Sequence, residues 1–180
     1  MRKIGIIMGS TSDLPIMQKA IELLDEFDVP FEVHAYSAHR TPAQVIDFAT
    51  GARKRGFGVI IGAAGMAAHL SGVIAANTTL PVIAVPLSGK NLDGLDALLS
   101  SVQMPTGIPV ATVAIDGAAN AALLAMEIIA IGEPDLGKKL EAYRLAETKK
   151  RLKQNADIEA KYNKTPAASS DELVRDYGVI

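Results

Sequence analysis

Short apolar runs alternate with amphipathic segments along residues 4–131, and this alternation limits the possible folds more than any other feature of the sequence. The apolar runs, which predict strands buried on both faces, lie at residues 4–8, 31–36, 59–61, 81–85 and 110–115. Apolar residues at spacings of three and four predict the intervening helices. Strands that alternate with helices form parallel sheets with right-handed crossovers. We expect an α/β fold: a three-layer, flavodoxin-like, parallel five-stranded sheet with helices on both faces.

Capping signals predict where the helices begin. Ser12 or Asp13 is the expected N-cap of the first helix. Thr41, followed by a proline and, three residues on, by Gln44, predicts a capping box at the second helix. The small residues at 62–65 predict a turn, followed by a third helix over residues 66–77.

The chain is predicted to consist of an α/β catalytic domain at residues 1–132 and a C-terminal helix and tail at residues 133–180. We expect the tail to pack on the same or a neighbouring subunit.

Residues 118–131 have almost no polar face, and a helix that is apolar all round must be covered by other protein atoms on every side. We therefore expect a homo-oligomer; the alternative is that the helix at residues 136–155 covers this segment.

Composition excludes several functional classes. The net charge of -2 gives no basic surface for a nucleic acid. The chain has no cysteine, no HExxH motif and no clustered carboxylates, so we expect no metal site and no disulfide. Neither a signal peptide nor an apolar membrane span is evident, and the expected location is cytoplasmic.

The expected ligand site lies at the carboxyl ends of the strands. In the flavodoxin-like order the topological switch point falls between the first and third strands, so residues 9–13 and 62–68 flank it and residues 37–42 overhang it. Amides at residues 9–13 precede a helix and can bind an anion, with Ser10 and Ser12 as further donors. Asp13 can accept a hydrogen bond from a sugar hydroxyl. A plain helix cap is the alternative interpretation.

His39 and Arg40 are the candidate chemical groups of residues 37–42. Imidazole has a pKa of about 6.5 in model peptides and transfers protons in both directions near neutrality. The guanidinium of Arg40 suits a phosphate, although a solvent-facing arginine is an equal alternative. Ser37 flanks both. His34, inside a predicted strand without polar neighbours, is interpreted as structural.

Residues 62–69 carry almost no side-chain bulk, so a small carboxylate or carbon dioxide could approach their amides closely. Close packing of a helix on the sheet explains the same small residues, and the spacing favours it. His69, inside the predicted third helix, is interpreted as structural rather than as a second catalyst.

The sequence resembles the N5-carboxyaminoimidazole ribonucleotide mutase family in five blocks. These are GSxSD at 9–13, SAHRTP at 37–42, AAHL at 67–70, LxGxDxL at 92–98 and VQMPxGIPV at 102–110. The resemblance implies an octameric α/β enzyme, without metal or organic cofactor, that moves a carboxyl group from the exocyclic amine of a ribonucleotide to its imidazole carbon. In the implied mechanism a carbamate loses carbon dioxide, the ring carbon attacks the trapped gas, and a proton leaves that carbon.

The resemblance also implies residue roles. Ser10, Asp13 and Arg40 correspond to positions that bind the ribose phosphate, and His39 corresponds to the proton-transferring histidine. The remaining positions assigned to the substrate pocket are Ser12, Ser37, Ala64, Gly65, Ala67 and His69.

Two other functions are compatible with these motifs. Enzymes that carboxylate aminoimidazole ribonucleotide directly with carbon dioxide usually have lysine in place of Arg40 and a different loop at residues 66–69. A non-catalytic phosphosugar- or nucleotide-binding module would need Arg40 but not His39. The sequence departs from the mutase pattern at Ala63 and Met66, where glycine is usual.

Overall fold

The computed structural model describes residues 1–163, and its sheet has five parallel strands. The strands are β1 (Lys3–Met8), β2 (Phe31–Ala35), β3 (Phe57–Gly65), β4 (Val82–Leu87) and β5 (Ala111–Thr112). The helices are α1 (Leu14–Glu26), α2 (Pro42–Ala52), α3 (Leu70–Ala76), α4 (Leu95–Val102), α5 (Ala118–Ala130) and α6 (Pro134–Tyr162). The strand order is β2-β1-β3-β4-β5, so the predicted flavodoxin-like topology is confirmed.

The core lies on both faces of the sheet because, apart from Lys3 at the start of β1, the central strands β1, β3 and β4 carry no charged or hydroxyl side chains. On one face, Ile7 and Ile60 pack with Phe48 of α2 and Ile74 of α3. The neighbouring strand residues point to the opposite face, where α5 packs on β3 and β4 and contacts α1. The helices α2 and α3 contact each other. This arrangement leaves the carboxyl ends of β1 to β4 free to carry a site.

Three predicted boundaries are wrong. The small residues at 62–65 form the last four positions of β3 rather than a turn, and α3 begins at Leu70 rather than at residue 66. His69 is consequently the N-cap of α3 and lies outside its interior. The fifth strand is also shorter than predicted, although Val113 still donates to the Ala84 carbonyl and the chain continues beside β4.

The predicted caps form only in part. Ser10 and Asp13 make a reciprocal capping box around a 3₁₀ turn at Thr11–Asp13, one turn ahead of α1. The predicted Thr41 capping box does not form, because the Thr41 hydroxyl accepts from the Ser37 amide at 2.8 Å and donates to the Ser37 carbonyl. The threonine therefore closes the loop ahead of α2.

The chain divides into two compact units, Met1–Leu136 and Gly137–Ile180. The tail predicted beyond residue 155 is helical up to Tyr162, where α6 ends, and its residues 164–180 lie outside the described residues. No helix in the described part of the chain is both long enough and apolar enough to cross a membrane.

Candidate active site

A cavity of about 820 Å³ opens at the carboxyl ends of β1 to β4 and is bordered by all ten predicted site residues. They come from the loops after β1 and β2 and from the end of β3: Ser10, Ser12, Asp13, Ser37, His39, Arg40, Ala64, Gly65, Ala67 and His69. Residues far apart in the sequence meet here because parallel strands end at one edge of the sheet.

Most amides of the loop after β1 are already hydrogen-bonded within the protein, so the loop offers fewer free amides than predicted. The Gly9 amide donates to the Ala63 carbonyl, the Ser10 amide to Asp13 Oδ2 and the Ser12 amide to Ser10 Oγ. The Ser12 hydroxyl lies 2.8 Å from Ser10 Oγ. An anion at this loop would therefore be bound mainly by hydroxyl groups and by nearby cations.

Asp13 is the acidic group at the centre of this loop. Burial raises the pKa of its carboxyl above the ordinary value, while the Ser10 amide, the Ser12 hydroxyl and the Arg40 charge act in the opposite direction. Because its lone pairs face the loop and the cavity, Asp13 can accept a hydrogen bond from a ligand hydroxyl.

The loop after β2 places Arg40 over the loop after β1. Arg40 Nη2 donates to the Gly9 carbonyl at 3.1 Å, and the Ser37 hydroxyl accepts from the amides of His39 and Arg40. These bonds fix the start of α2 and bring a guanidinium beside the Ser10 and Ser12 hydroxyls. The cluster combines a planar cation with neutral donors, a combination typical of phosphate sites.

The imidazole rings of His39 and His69 form a hydrogen-bonded pair. His39 Nε2 lies 2.9 Å from His69 Nδ1, and the ring planes meet at 74°. Such a bond needs a proton on one of the two nitrogens and a lone pair on the other. Both rings are exposed to the cavity. The interpretation of His69 as a structural histidine inside the third helix did not include this contact, because the contact depends on where α3 begins.

His34 lies outside the cavity, and its predicted lack of polar neighbours is wrong. His34 Nε2 is 3.5 Å from Glu32 Oε2, and the ring stacks on Tyr36. A hydrogen bond from Lys3 lowers the pKa of Glu32 below its ordinary value. These contacts support the structural interpretation of His34.

Sequence reasoning missed the loop after β4. Ser88, Gly89, Lys90 and Asn91 border the cavity together with Asp96. The Ser88 amide donates to Asp116 Oδ1 at 2.9 Å, which ties one end of the loop to the segment ahead of α5. The available signal was positional: β4 is adjacent to β3, so its carboxyl end belongs to the same edge.

A second cavity of about 1020 Å³ lies at the other edge of the sheet. It is bordered by the ends of α2 and α3 and by the segment ahead of β5. Its border contains Arg53 and Lys54 but no histidine, aspartate or glutamate. Without a side chain that transfers protons near neutrality, this cavity is the weaker candidate despite its larger volume.

Within residues 1–163, no group of three or more histidine, aspartate or glutamate side chains is arranged to hold a metal ion. The side chains that border the cavity, among them His39, Arg40 and Ser10, offer protons, positive charge and hydrogen bonds, which together suit an anionic ligand with hydroxyl groups.

Comparison with known proteins gives consistent results. The model of the AIR carboxylase family matches residues 3–150. An N5-carboxyaminoimidazole ribonucleotide mutase from Pyrococcus abyssi is 58% identical over 144 residues, which cover 80% of this chain and 83% of that protein. A phosphoribosylaminoimidazole carboxylase from Candida glabrata is 49% identical over 157 residues, which cover 87% of this chain and 28% of that protein.

Solved structures show the same relationship. The crystal structure of PurE from Treponema denticola matches with a TM-score of 0.77 at 26% identity, covering 90% of this chain and 99% of that one. The family match extends over the whole α/β sheet and all four loops of the cavity. The chain belongs to the AIR carboxylase family.

Proposed function

We propose that the chain is an N5-carboxyaminoimidazole ribonucleotide mutase of purine biosynthesis, an isomerase that forms 4-carboxy-5-aminoimidazole ribonucleotide. The observation that carries the proposal is the His39–His69 pair, which borders the same cavity as Arg40. The high identity to a mutase over 83% of its length supports the same conclusion.

Substrate binding follows from the charges around the cavity. Arg40, with the Ser10 and Ser12 hydroxyls, binds the phosphate, because a guanidinium donates two parallel hydrogen bonds to phosphate oxygens. Asp13 accepts from a ribose hydroxyl. The small residues Ala64, Gly65 and Ala67 leave room for the carboxylate beside the histidines.

The reaction needs one proton in and one proton out. When the bond between the exocyclic nitrogen and the carboxyl carbon breaks, its electron pair stays on nitrogen, which takes a proton from His39. The ring carbon then forms a bond to the released carbon dioxide. The proton already on that carbon leaves to His39, which is thereby protonated again. Atoms and charge balance without ATP, a metal or an external acid.

His69 extends this scheme. Its Nδ1 lies within hydrogen-bond distance of His39 Nε2, so it orients the His39 ring and can share the proton during each transfer. A positioned acid or base contributes about 10²- to 10⁴-fold to a rate. We therefore assign His39 to proton transfer and His69 to its orientation.

The direct carboxylase is the second candidate, because one relative bears that name. The lower identity to that protein, 49% against 58%, and the fact that this chain covers only 28% of its length favour the mutase. We further propose that the protein is cytoplasmic and forms a homo-oligomer, an octamer by family resemblance.

Histidine variants provide the test. His39→Asn should retain substrate binding and lose turnover by about 10²-fold or more, and His69→Asn should lower kcat more than it raises KM. His34→Asn is the matched control, because this histidine lies outside the cavity. Near-normal kcat in His39→Asn would refute the mechanism.

A comparison of two substrates distinguishes the candidate functions. A mutase forms product from the N-carboxylated substrate, a direct carboxylase forms product from the uncarboxylated one with bicarbonate, and a binding module forms product from neither.

A further inference from the structure

Met66 has an unfavourable backbone conformation at the candidate site. Four residues other than glycine have positive φ within residues 1–163, and three of them are aspartates: Asp28, Asp93 and Asp116. Aspartate tolerates this region because its short polar side chain forms local hydrogen bonds. Met66, at φ 52°, has no such polar group, so the left-handed conformation is unfavourable there.

The conformation has a clear local effect. Met66 directly follows the last residue of β3 and turns the chain so that the His69 amide donates to the Ala67 carbonyl at 2.8 Å. The same turn brings the His69 ring onto His39. Glycine would make this turn without strain, so the turn explains the backbone of Met66 but not its side chain.

The side chain of Met66 borders the cavity and is 66% exposed. The leucines that border the same cavity, Leu70 and Leu87, are buried, so Met66 differs from them in being both large and exposed. Methionine is unbranched and flexible, so it can adjust its shape to a ligand beneath it. Strain that persists at a cavity is grounds for a functional hypothesis.

We propose that the Met66 side chain covers the reacting end of the substrate and retains the carbon dioxide released during the transfer. This inference rests on the proposed mutase function. Carbon dioxide has no net charge, so Arg40 and the hydroxyl groups hold it weakly once the bond to nitrogen has broken. Its retention depends on enclosure by apolar atoms, and the neighbouring Ala64, Gly65 and Ala67 are too small to supply a cover. Escape leaves the uncarboxylated amine as a by-product.

Three substitutions at Met66 separate the effect of its side chain from the effect of its backbone strain. Met66→Gly removes the side chain and the strain, Met66→Ala removes the side chain and keeps the strain, and Met66→Leu keeps apolar bulk. Ile46→Ala is the matched control, because Ile46 is an exposed apolar residue of α2 outside the cavity. The measurement is the ratio of uncarboxylated amine to product formed from the N-carboxylated substrate, corrected for the reaction without enzyme.

We expect Met66→Gly and Met66→Ala to raise this ratio by about threefold or more, and to incorporate more labelled bicarbonate into product, while Met66→Leu and Ile46→Ala stay close to wild type. An unchanged ratio in Met66→Gly, or a lower kcat without extra by-product, overturns the role of Met66. A wild-type protein that forms no product overturns the proposed function as well.

Discussion

Asp13 must meet a structural and a functional requirement at the same time. Its carboxylate accepts from the Ser10 amide and completes the capping box ahead of α1. Burial nevertheless raises its pKa, so the ionised form is less favourable in the folded chain than in the unfolded one. Burial does not help a carboxylate that only caps a helix. A carboxylate that accepts a hydrogen bond from a ligand hydroxyl must lie in the cavity, and this requirement explains its partly buried position.

Asp13→Asn tests this conflict. Asparagine keeps an acceptor for the Ser10 amide and removes the buried charge, so the free energy of unfolding at pH 7 should be no lower than that of wild type. The raised folded-state pKa of Asp13 means that wild type loses stability as the pH rises through this pKa and regains it on acidification. The difference in unfolding free energy between the variant and wild type should therefore shrink on acidification. Turnover should fall at the same time. Urea titrations at pH 4 and pH 7 with parallel kinetics provide the measurement, and a variant less stable at pH 7 would contradict this account.

Sequence reasoning located the site at the residue scale wherever the residue type and the strand end were sufficient. His39, Arg40 and Asp13 follow strands and border one cavity, while their roles in binding and catalysis stay predictions. The His39–His69 contact and the positive φ of Met66 could not be predicted, because both depend on a turn whose position the small residues of β3 conceal. Lys90 was missed because its strand-end position was not considered.

At the scale of elements, the small residues at the end of β3 serve two different purposes. A Cβ at Gly62 would lie 2.6 Å from Ser71 Oγ and 3.3 Å from Ile74 Cδ1, so glycine there permits α3 to approach the sheet. Ala64 and Gly65, farther along the strand, border the cavity. The two competing explanations of this segment therefore apply to different residues, and a pattern of small residues alone could not separate them.

Gly62 and Ser71 should be energetically coupled. Gly62→Ala overpacks the contact and should cost about 1–3 kcal/mol of unfolding free energy. Ser71→Ala loses the buried hydrogen bond to the Gly62 carbonyl, 3.0 Å long, and should cost about 1 kcal/mol. Removing the hydroxyl also frees space for the new methyl group, so the double variant should lose less than the sum of the two.

Gly51→Ala is the control for this cycle. Gly51 lies in α2, where a Cβ would meet only Arg55 Nε at 3.8 Å, so alanine should raise the unfolding free energy by about 0.5–1 kcal/mol. Additive effects of Gly62→Ala and Ser71→Ala in denaturant titrations would show that close packing of α3 does not explain the glycine.

At the scale of the whole molecule, the apolar surface is distributed differently from the sequence expectation. Most of α5 is covered within the first unit, by β3, β4 and α1, and Ile131 just beyond it is exposed. The helix α4 buries only Ala97 and Ser101. Five apolar residues predict this helix, and all but the partly buried Leu98 are about half exposed and recur at spacings of three and four: Leu92, Leu95, Leu99 and Val102. We expect such a stripe to be covered by another protein surface.

Leu99→Glu tests whether this stripe joins copies of the chain. A carboxylate in an apolar contact would be desolvated without a partner, so the variant should dissociate to smaller species with a Kd raised by about 10²-fold. Lys19→Glu, on the exposed surface of α1, introduces the same carboxylate away from the stripe, with a charge change of two units rather than one, and should leave the mass of the assembly unchanged. Light scattering at micromolar concentration measures both. A monomeric wild type would refute the homo-oligomer, and an oligomeric Leu99→Glu would place the interface elsewhere.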